Sequence, residues 1–215
     1  DSSNFNYNIG VSVEDEGVFP LKWLCEGSLY QLLLERPSKW FVKVLFRFHT
    51  EMNPKDKKFQ LIQLRKLRDI CTALKRKLMV EIIIQKDLAQ EDVSTGKEEE
   101  LAEVIDEVYK KDIYPYWWGI NALEIEEKWA KINEVINEND SDVGLIIKCN
   151  NSQTEKLPAW LSTERSKSKN IGVALGENIF WEQWGKYVNG NAKDTQVISE
   201  VEEVFQKFFD LCSDL

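Results

Sequence analysis

The sequence predicts an α/β protein in which parallel strands alternate with amphipathic helices. Six short runs rich in Val, Ile, Leu and Phe recur along the 215 residues, and segments with helical periodicity lie between them. Nearly continuous apolar runs are typical of strands that are covered on both faces. Repeated strand-then-helix units favour parallel pairing with right-handed crossovers. The predicted strands are Tyr7–Val13, Trp40–Phe48, Leu78–Ile84, Tyr114–Ile120, Val143–Lys148 and Ile171–Leu175.

The segments between the strands carry apolar residues at steps of three and four, which places those residues on one stripe of a helix. The clearest helix starts at Asn53-Pro54, because asparagine is a good N-cap and proline suits the first helical position. The predicted stripes are Leu61–Leu78, Leu101–Val108, Ile125–Ile136 and Val197–Leu211, with weaker helices at Leu21–Leu34 and Leu157–Ser166.

Composition and charge exclude several classes of function. The 28 Lys and Arg residues against 37 Asp and Glu give a net charge of −9, so nucleic acid and membrane surfaces are not expected partners. No apolar run reaches the roughly 18 residues that span a bilayer. The four cysteines are widely spaced and His49 is the only histidine, so we expect no metal and no cofactor. Reduced thiols suit a cytoplasmic protein.

Six units are too few to close an eight-stranded barrel. The sequence therefore leaves three alternatives: an open doubly wound sheet, a fragment of a (β/α)8 barrel, or a barrel that a partner completes. No phosphate-binding glycine motif follows a strand, so the nucleotide-binding doubly wound folds are disfavoured. Without a long linker, we expect residues 1–215 to form a single domain.

Short motifs near the strand ends carry a family resemblance. They are Val13-Glu14, Lys43-Val-Leu-Phe-Arg47, Leu78-Met-Val-Glu81, Pro115-Tyr-Trp-Trp118, Gly172-Val-Ala-Leu-Gly176 and Phe180-Trp181. Their order resembles the aldolase-like barrel domain found C-terminal to bacterial deoxygluconokinases of inositol catabolism, over essentially the whole chain. The resemblance implies a TIM-barrel-like fold with six of eight βα units, the first two being absent. It also implies an ancestral class I aldolase, a lyase of carbohydrate metabolism acting on a phosphorylated keto-sugar acid.

The chain departs from the family's pattern where the chemistry would lie. Gly119 stands where the resemblance places the Schiff-base lysine, and Asn121 stands where it places a carboxylate. Gly176-Glu177 replaces a Gly-Arg pair, which puts a negative charge near the implied phosphate position. We therefore expect a noncatalytic scaffold or binding protein, with Gly119 leaving room where a longer side chain once lay.

Four charged residues remain at the expected strand ends: Glu14, Lys43, Arg47 and Glu81. They have two interpretations. As catalytic residues, Glu14 and Glu81 would flank Lys43 as a substitute amine in a rearranged lyase, with Lys148 as a second candidate amine. As structural residues, they would form a buried ion network that includes Lys43, Arg47 and Glu81. Residues 43, 45 and 47 share one face of their strand, so this face is the polar one.

Further residues complete the candidate site. A phosphorylated sugar-acid ligand would contact a substrate-binding set made of Arg47, Trp118, Asn121, Lys148, Gly176 and Glu177. A divalent metal held by Glu14, Glu81 and Asn121 is disfavoured, because Lys43 would repel the ion. The eight tryptophans, among them Trp117, Trp160, Trp181 and Trp184, favour a protein partner or a homo-oligomer.

Overall fold

The computed structural model describes residues 9–84, 100–123, 126–148, 171–176 and 179–213. Six strands alternate with helices over these ranges. The strands are β1 Gly10–Ser12, β2 Phe41–Arg47, β3 Leu78–Ile83, β4 Trp117–Asn121, β5 Gly144–Lys148 and β6 Ile171–Ala174. The helices are α1 Leu29–Leu34, α2 Pro54–Ala73, α3 Glu100–Tyr109, α4 Glu126–Asn139, α5 Trp181–Val188 and α6 Asp194–Ser213.

The strands are parallel and follow chain order from β1 to β6 in one sheet. The predicted α/β class with a parallel, TIM-barrel-like strand order is therefore confirmed. Each strand lies within or close to its predicted run. The predicted helix at Leu157–Ser166 lies outside the described residues, and only the end of Leu21–Leu34 is helical. The chain divides into two compact units, residues 1–144 and residues 145–215, and the single domain stays a prediction.

Strand β2 in the first unit illustrates how an apolar run in the sequence corresponds to a buried strand. Val42, Val44 and Phe46 are fully buried, whereas Lys43 and Arg47 are partly exposed; Leu45, on the face of Lys43, is also buried. The sequence alternates in the same way, with Lys43 and Arg47 on the opposite face. This places the polar face of β2 away from its fully buried face.

Helix α2 begins as predicted, because the side chain of Asn53 accepts a hydrogen bond from the backbone N–H of Lys55 at 2.9 Å. Its buried stripe contains Leu61, Leu64 and Leu67. Gln60 lies on the same stripe and is also buried. Its Nε2 donates to the carbonyl of Arg47 at 2.7 Å, and its Oε1 accepts from the backbone N–H of Leu21 at 2.7 Å. Helix α2 is thereby tied to the end of β2 and to the segment after β1.

Arg76 fixes the start of β2. Its Nη1 donates to the carbonyls of Pro37 and Trp40, and its Nη2 donates to those of Leu33 and Arg36. Charge-assisted bonds of this kind are about twice as strong as neutral ones. One guanidinium group therefore holds the end of α1 and the turn that leads into β2.

The second unit contains the β5–β6 pair and the two C-terminal helices. Leu145 pairs with Ile171 and Lys148 pairs with Ala174. Lys186 on α5 lies 3.1 Å from Glu200 on α6 and 3.1 Å from Glu182 on its own helix. These ion pairs link α5 to α6 at their solvent-exposed surface.

Candidate functional site

One face of the sheet in the first unit gathers most of the predicted site residues. The register pairs Leu45 with Glu81 and Glu81 with Gly119, so these three form one row across β2, β3 and β4. Paired residues of neighbouring parallel strands point to the same face. Lys43 lies one row away on that face, opposite the fully buried Val42 and Val44. Lys43 thus lies on the face of β2 that the sequence predicted to be the polar one.

Lys43 and Glu81 form the central contact of this face. The Nζ of Lys43 lies 2.6 Å from the Oε2 of Glu81. The Glu81 side chain is 2% exposed, whereas the Lys43 side chain is 29% exposed. The carboxylate is thus removed from water and the ammonium retains some contact with it. A buried carboxylate needs such a partner, because removing the carboxylate from water without one costs on the order of several kcal/mol.

Glu14 satisfies the backbone at the end of β1. Its Oε1 accepts from the backbone N–H of Leu45 at 2.9 Å, and its Oε2 accepts from that of Val13 at 3.1 Å. Strand β1 ends at Ser12, which pairs with Lys43 on β2. Leu45 lies two residues beyond that last pair, and its backbone N–H donates to the Glu14 carboxylate. Glu14 is 1% exposed. Burial raises the pKa of Glu14, and the backbone hydrogen bonds and then the charge of Lys43 oppose this rise with smaller effects.

Arg47 ends β2 on the same face as Lys43. Of the predicted ion network, the Lys43–Glu81 pair is present, whereas Arg47 makes no ion pair with a described carboxylate. The Nε of Arg47 is buried and has no hydrogen-bond partner in the part of the chain that the structure describes. The backbone carbonyl of Arg47 accepts a hydrogen bond from Gln60, while the Arg47 side chain keeps an unused donor.

The expected space beside Gly119 is absent, and this prediction was wrong. A Cβ added at Gly119 would lie 2.8 Å from Cε of Met79 and 3.2 Å from both Cα and Cβ of Glu81. Met79 could rotate away, but the backbone of Glu81 is fixed by the β3–β4 pairing. The register of the two strands, which the sequence does not reveal, causes the crowding.

Of the remaining predicted site residues, Trp118 and Asn121 lie on β4 in the first unit. Trp118 is fully buried on the opposite face of β4, where its Nε1 donates to the hydroxyl of Tyr109 at 2.7 Å. Asn121 ends β4 on the face of Gly119. Lys148 ends β5 in the second unit, and Gly176 follows β6 there. Glu177 lies outside the described residues. The ligand-binding roles of these five residues stay predictions.

Sequence reasoning missed Gln60, Met79 and Arg76, which support this face or occupy it. Gln60 had a detectable signal, since it is a polar residue on the apolar stripe of α2 that also carries Leu64 and Leu67. Met79 and Arg76 had none, because their roles depend on strand register and on long-range contacts. Across the described ranges, no group of three or more His, Cys, Asp and Glu side chains could hold a metal ion. None of the helices described is both long and apolar enough to cross a bilayer.

The fold is similar to that of a solved bacterial protein. The crystal structure of Cgl0159 from Corynebacterium glutamicum matches with a TM-score of 0.54 and 11% sequence identity. The match covers 93% of this chain and 64% of the other, so the chain spans less than two thirds of that protein's length. At this identity the likeness concerns the fold alone.

Sequence comparison identifies the family. No curated protein matches the chain significantly. A family model described as "Uncharacterized protein conserved in bacteria (DUF2090)" matches residues 1–214, which is nearly the whole sequence. The chain therefore belongs to the DUF2090 family.

Proposed function

We propose that this chain is a noncatalytic, aldolase-derived binding protein. The observation that carries the proposal is the Lys43–Glu81 ion pair at 2.6 Å on the site face. An amine forms a Schiff base only as the free base, and an ammonium held against a buried carboxylate has no electron pair to offer. The resemblance places the aldolase lysine at Gly119, whose surroundings are filled by Met79 and Glu81.

The ligand in this proposal is a phosphorylated sugar acid, bound on the face that carries Lys43 and Arg47. The unused Nε donor of Arg47 supports an anionic ligand, because guanidinium groups recognise carboxylates and phosphates well. The family resemblance supports the class of ligand and a cytoplasmic role in inositol or other carbohydrate metabolism. A protein partner or a second copy of the chain is part of this proposal, because the eight tryptophans favour an interface.

Borohydride trapping tests the noncatalytic part of the proposal. The protein is mixed with a phosphorylated keto-sugar acid, reduced with borohydride and analysed by peptide mass spectrometry. We expect no adduct on Lys43 or Lys148. In parallel, calorimetry with the same compound should detect binding, and the Arg47→Met variant should weaken it. An adduct on either lysine would overturn the noncatalytic proposal. The Lys43→Met and Lys148→Met variants show which lysine carries it, and Lys66→Met, at an exposed lysine outside the site, is the matched control.

A rearranged lyase is the second candidate, and the position of Glu14 favours it. Its buried carboxyl has a raised pKa and lies close enough to Lys43 for the lysine charge to act on it. Perturbed carboxyls beside an amine are suited to proton transfer at the α-carbon of an imine. In this case the trapping experiment gives an adduct on Lys43, and the Glu14→Gln variant slows its formation without altering ligand affinity.

A further inference from the structure

A second surface feature of the first unit is independent of the site face. A cleft of about 270 Å³ opens where β3 and β4 begin, at the opposite end of the strands from Arg47. It is lined by Arg68, Cys71 and Thr72 at the end of α2, by residues 75–78 that lead into β3, and by residues 114–116 before β4. Its charged and aromatic lining consists of Arg68, Lys75, Arg76, Lys77, Tyr114 and Tyr116.

Four cationic residues therefore meet in one cleft of a chain whose net charge is −9. Their charge is only partly compensated. The Nε of Arg68 lies 3.1 Å from the exposed Asp69, but Arg76 gives its terminal nitrogens to neutral carbonyls. Arg76 as a whole is 8% exposed, and its Nε is buried and has no hydrogen-bond partner among the described residues. Neither Lys75 nor Lys77 makes an ion pair with a described carboxylate. The cleft thus keeps an uncompensated positive charge.

The two lysines are placed by the backbone and by aromatic rings. Lys75 has a φ of 53°, the left-handed conformation that ends α2, so its side chain leaves the helix at the cleft. The Nζ of Lys77 lies 4.1 Å from the ring centroid of Tyr116 and 5.1 Å from that of Trp117. Such cation–π contacts hold the ammonium without neutralising it. Tyr114 and Tyr116 are 45% and 50% exposed and offer an aromatic wall.

We propose that this cleft binds a small organic phosphate. Its phosphoryl group would contact Lys75 and Lys77, and its apolar part would lie against Tyr114 and Tyr116. Lysine ammonium groups are effective point charges for phosphate. The cleft volume of about 270 Å³ lies just below the range of drug-sized ligand pockets, roughly 300–1,000 Å³, which favours a small molecule over a folded partner. The proposal does not depend on the function of the Lys43 face.

Calorimetry with phenyl phosphate at low ionic strength tests the proposal, because this probe combines one phosphate with one aromatic ring. The variants are Lys75→Gln and Lys77→Gln, which remove a charge and nearly keep the side-chain length. Lys66→Gln is the matched control, since Lys66 is an exposed lysine of α2 and does not line the cleft. We expect each cleft variant to weaken binding about three- to fivefold, as for a single partly exposed charge contact. The control should bind like the native protein.

Three results would overturn the proposal. The first is no binding at millimolar phenyl phosphate. The second is an equal loss of affinity in Lys66→Gln, which would mean nonspecific attraction to surface charge. The third is inorganic phosphate binding as tightly as phenyl phosphate, which would remove the role of the tyrosine wall. Urea unfolding of the variants separates a lost contact from a damaged fold, because Lys75 and Lys77 are exposed and their replacement should leave the midpoint nearly unchanged.

Discussion

Replacing Lys43 with methionine tests whether the ion pair on the site face is structural. The substitution keeps most of the apolar stem and removes the charge that lies 2.6 Å from Glu81. Removing one partner of a buried ion pair typically costs about 3–5 kcal/mol, because the other charge stays buried. The Lys43 end of this pair is 29% exposed and retains some water, so the expected cost is lower, about 2–3 kcal/mol.

Replacing the other partner of the pair should lower the free energy of unfolding by less. Glu81→Gln keeps the shape of a side chain that is 2% exposed, and the Lys43 ammonium left behind can be hydrated. We expect about 1–2 kcal/mol for this variant. The double variant Lys43→Met, Glu81→Gln buries no unpaired charge, so its cost should be smaller than the sum of the single costs by at least about 1 kcal/mol.

Urea unfolding followed by tryptophan fluorescence measures these costs, since eight tryptophans provide the signal. The slope of the unfolding free energy with urea should be unchanged across the four proteins, which confirms that the folded and unfolded states remain comparable. A cost below about 0.5 kcal/mol for Lys43→Met, together with additive single costs, would refute the structural role. It would instead favour an amine kept for chemistry.

Three other changes test the packing and protonation of the same unit. Gly119→Ala should destabilise the protein by about 1–2 kcal/mol in urea unfolding, because its Cβ meets the fixed Glu81 backbone at 3.2 Å; an unchanged midpoint would contradict this. Burial raises the pKa of Glu14 above its ordinary value of 4.5, so its contribution to stability is present below pH 4.5 and is lost as pH rises through the folded pKa. Unfolding measured over pH should show this loss in the native protein, and a Glu14→Gln variant with the same decrease would refute it. Burial raises the pKa of Cys71 to about 12, so iodoacetamide at pH 8 should modify the half-buried Cys25 and spare Cys71. Peptide mass spectrometry checks this, with urea exposing Cys71, and equal labelling of both in the native protein would contradict it.

Much of the fold could be predicted from the sequence, because burial leaves a periodic trace. Val42, Val44 and Phe46 alternate with Lys43 and Arg47, and this alternation alone fixed which face of β2 is polar. The cap at Asn53-Pro54 fixed where α2 begins. Parallel order followed from the repetition of strand and helix. Each of these inferences uses residues that are close in the chain.

The details of the site could not be predicted, because they depend on register between strands that are distant in sequence. The contact of Gly119 with Glu81 exists only because these residues are paired across β3 and β4. The role of Glu14 depends on where β1 stops, which leaves the N–H of Leu45 to be satisfied by a side chain. Trp118 carried a family-like motif, yet the pleat of β4 places it on the face opposite Gly119.

The crowding at Gly119 and the ion pair at Glu81 constrain each other. A lysine at position 119 would have to pass its Cβ beside Glu81, whose backbone lies 3.2 Å away and whose carboxylate is already held by Lys43. Moving Glu81 aside would break a 2.6 Å contact and leave its carboxylate buried without that partner. A single Gly119→Lys substitution should therefore destabilise the protein. Gly119 and the packing of the Lys43–Glu81 pair thus belong to one arrangement of three neighbouring strands, and a longer side chain at position 119 would require changes on β2 and β3 as well.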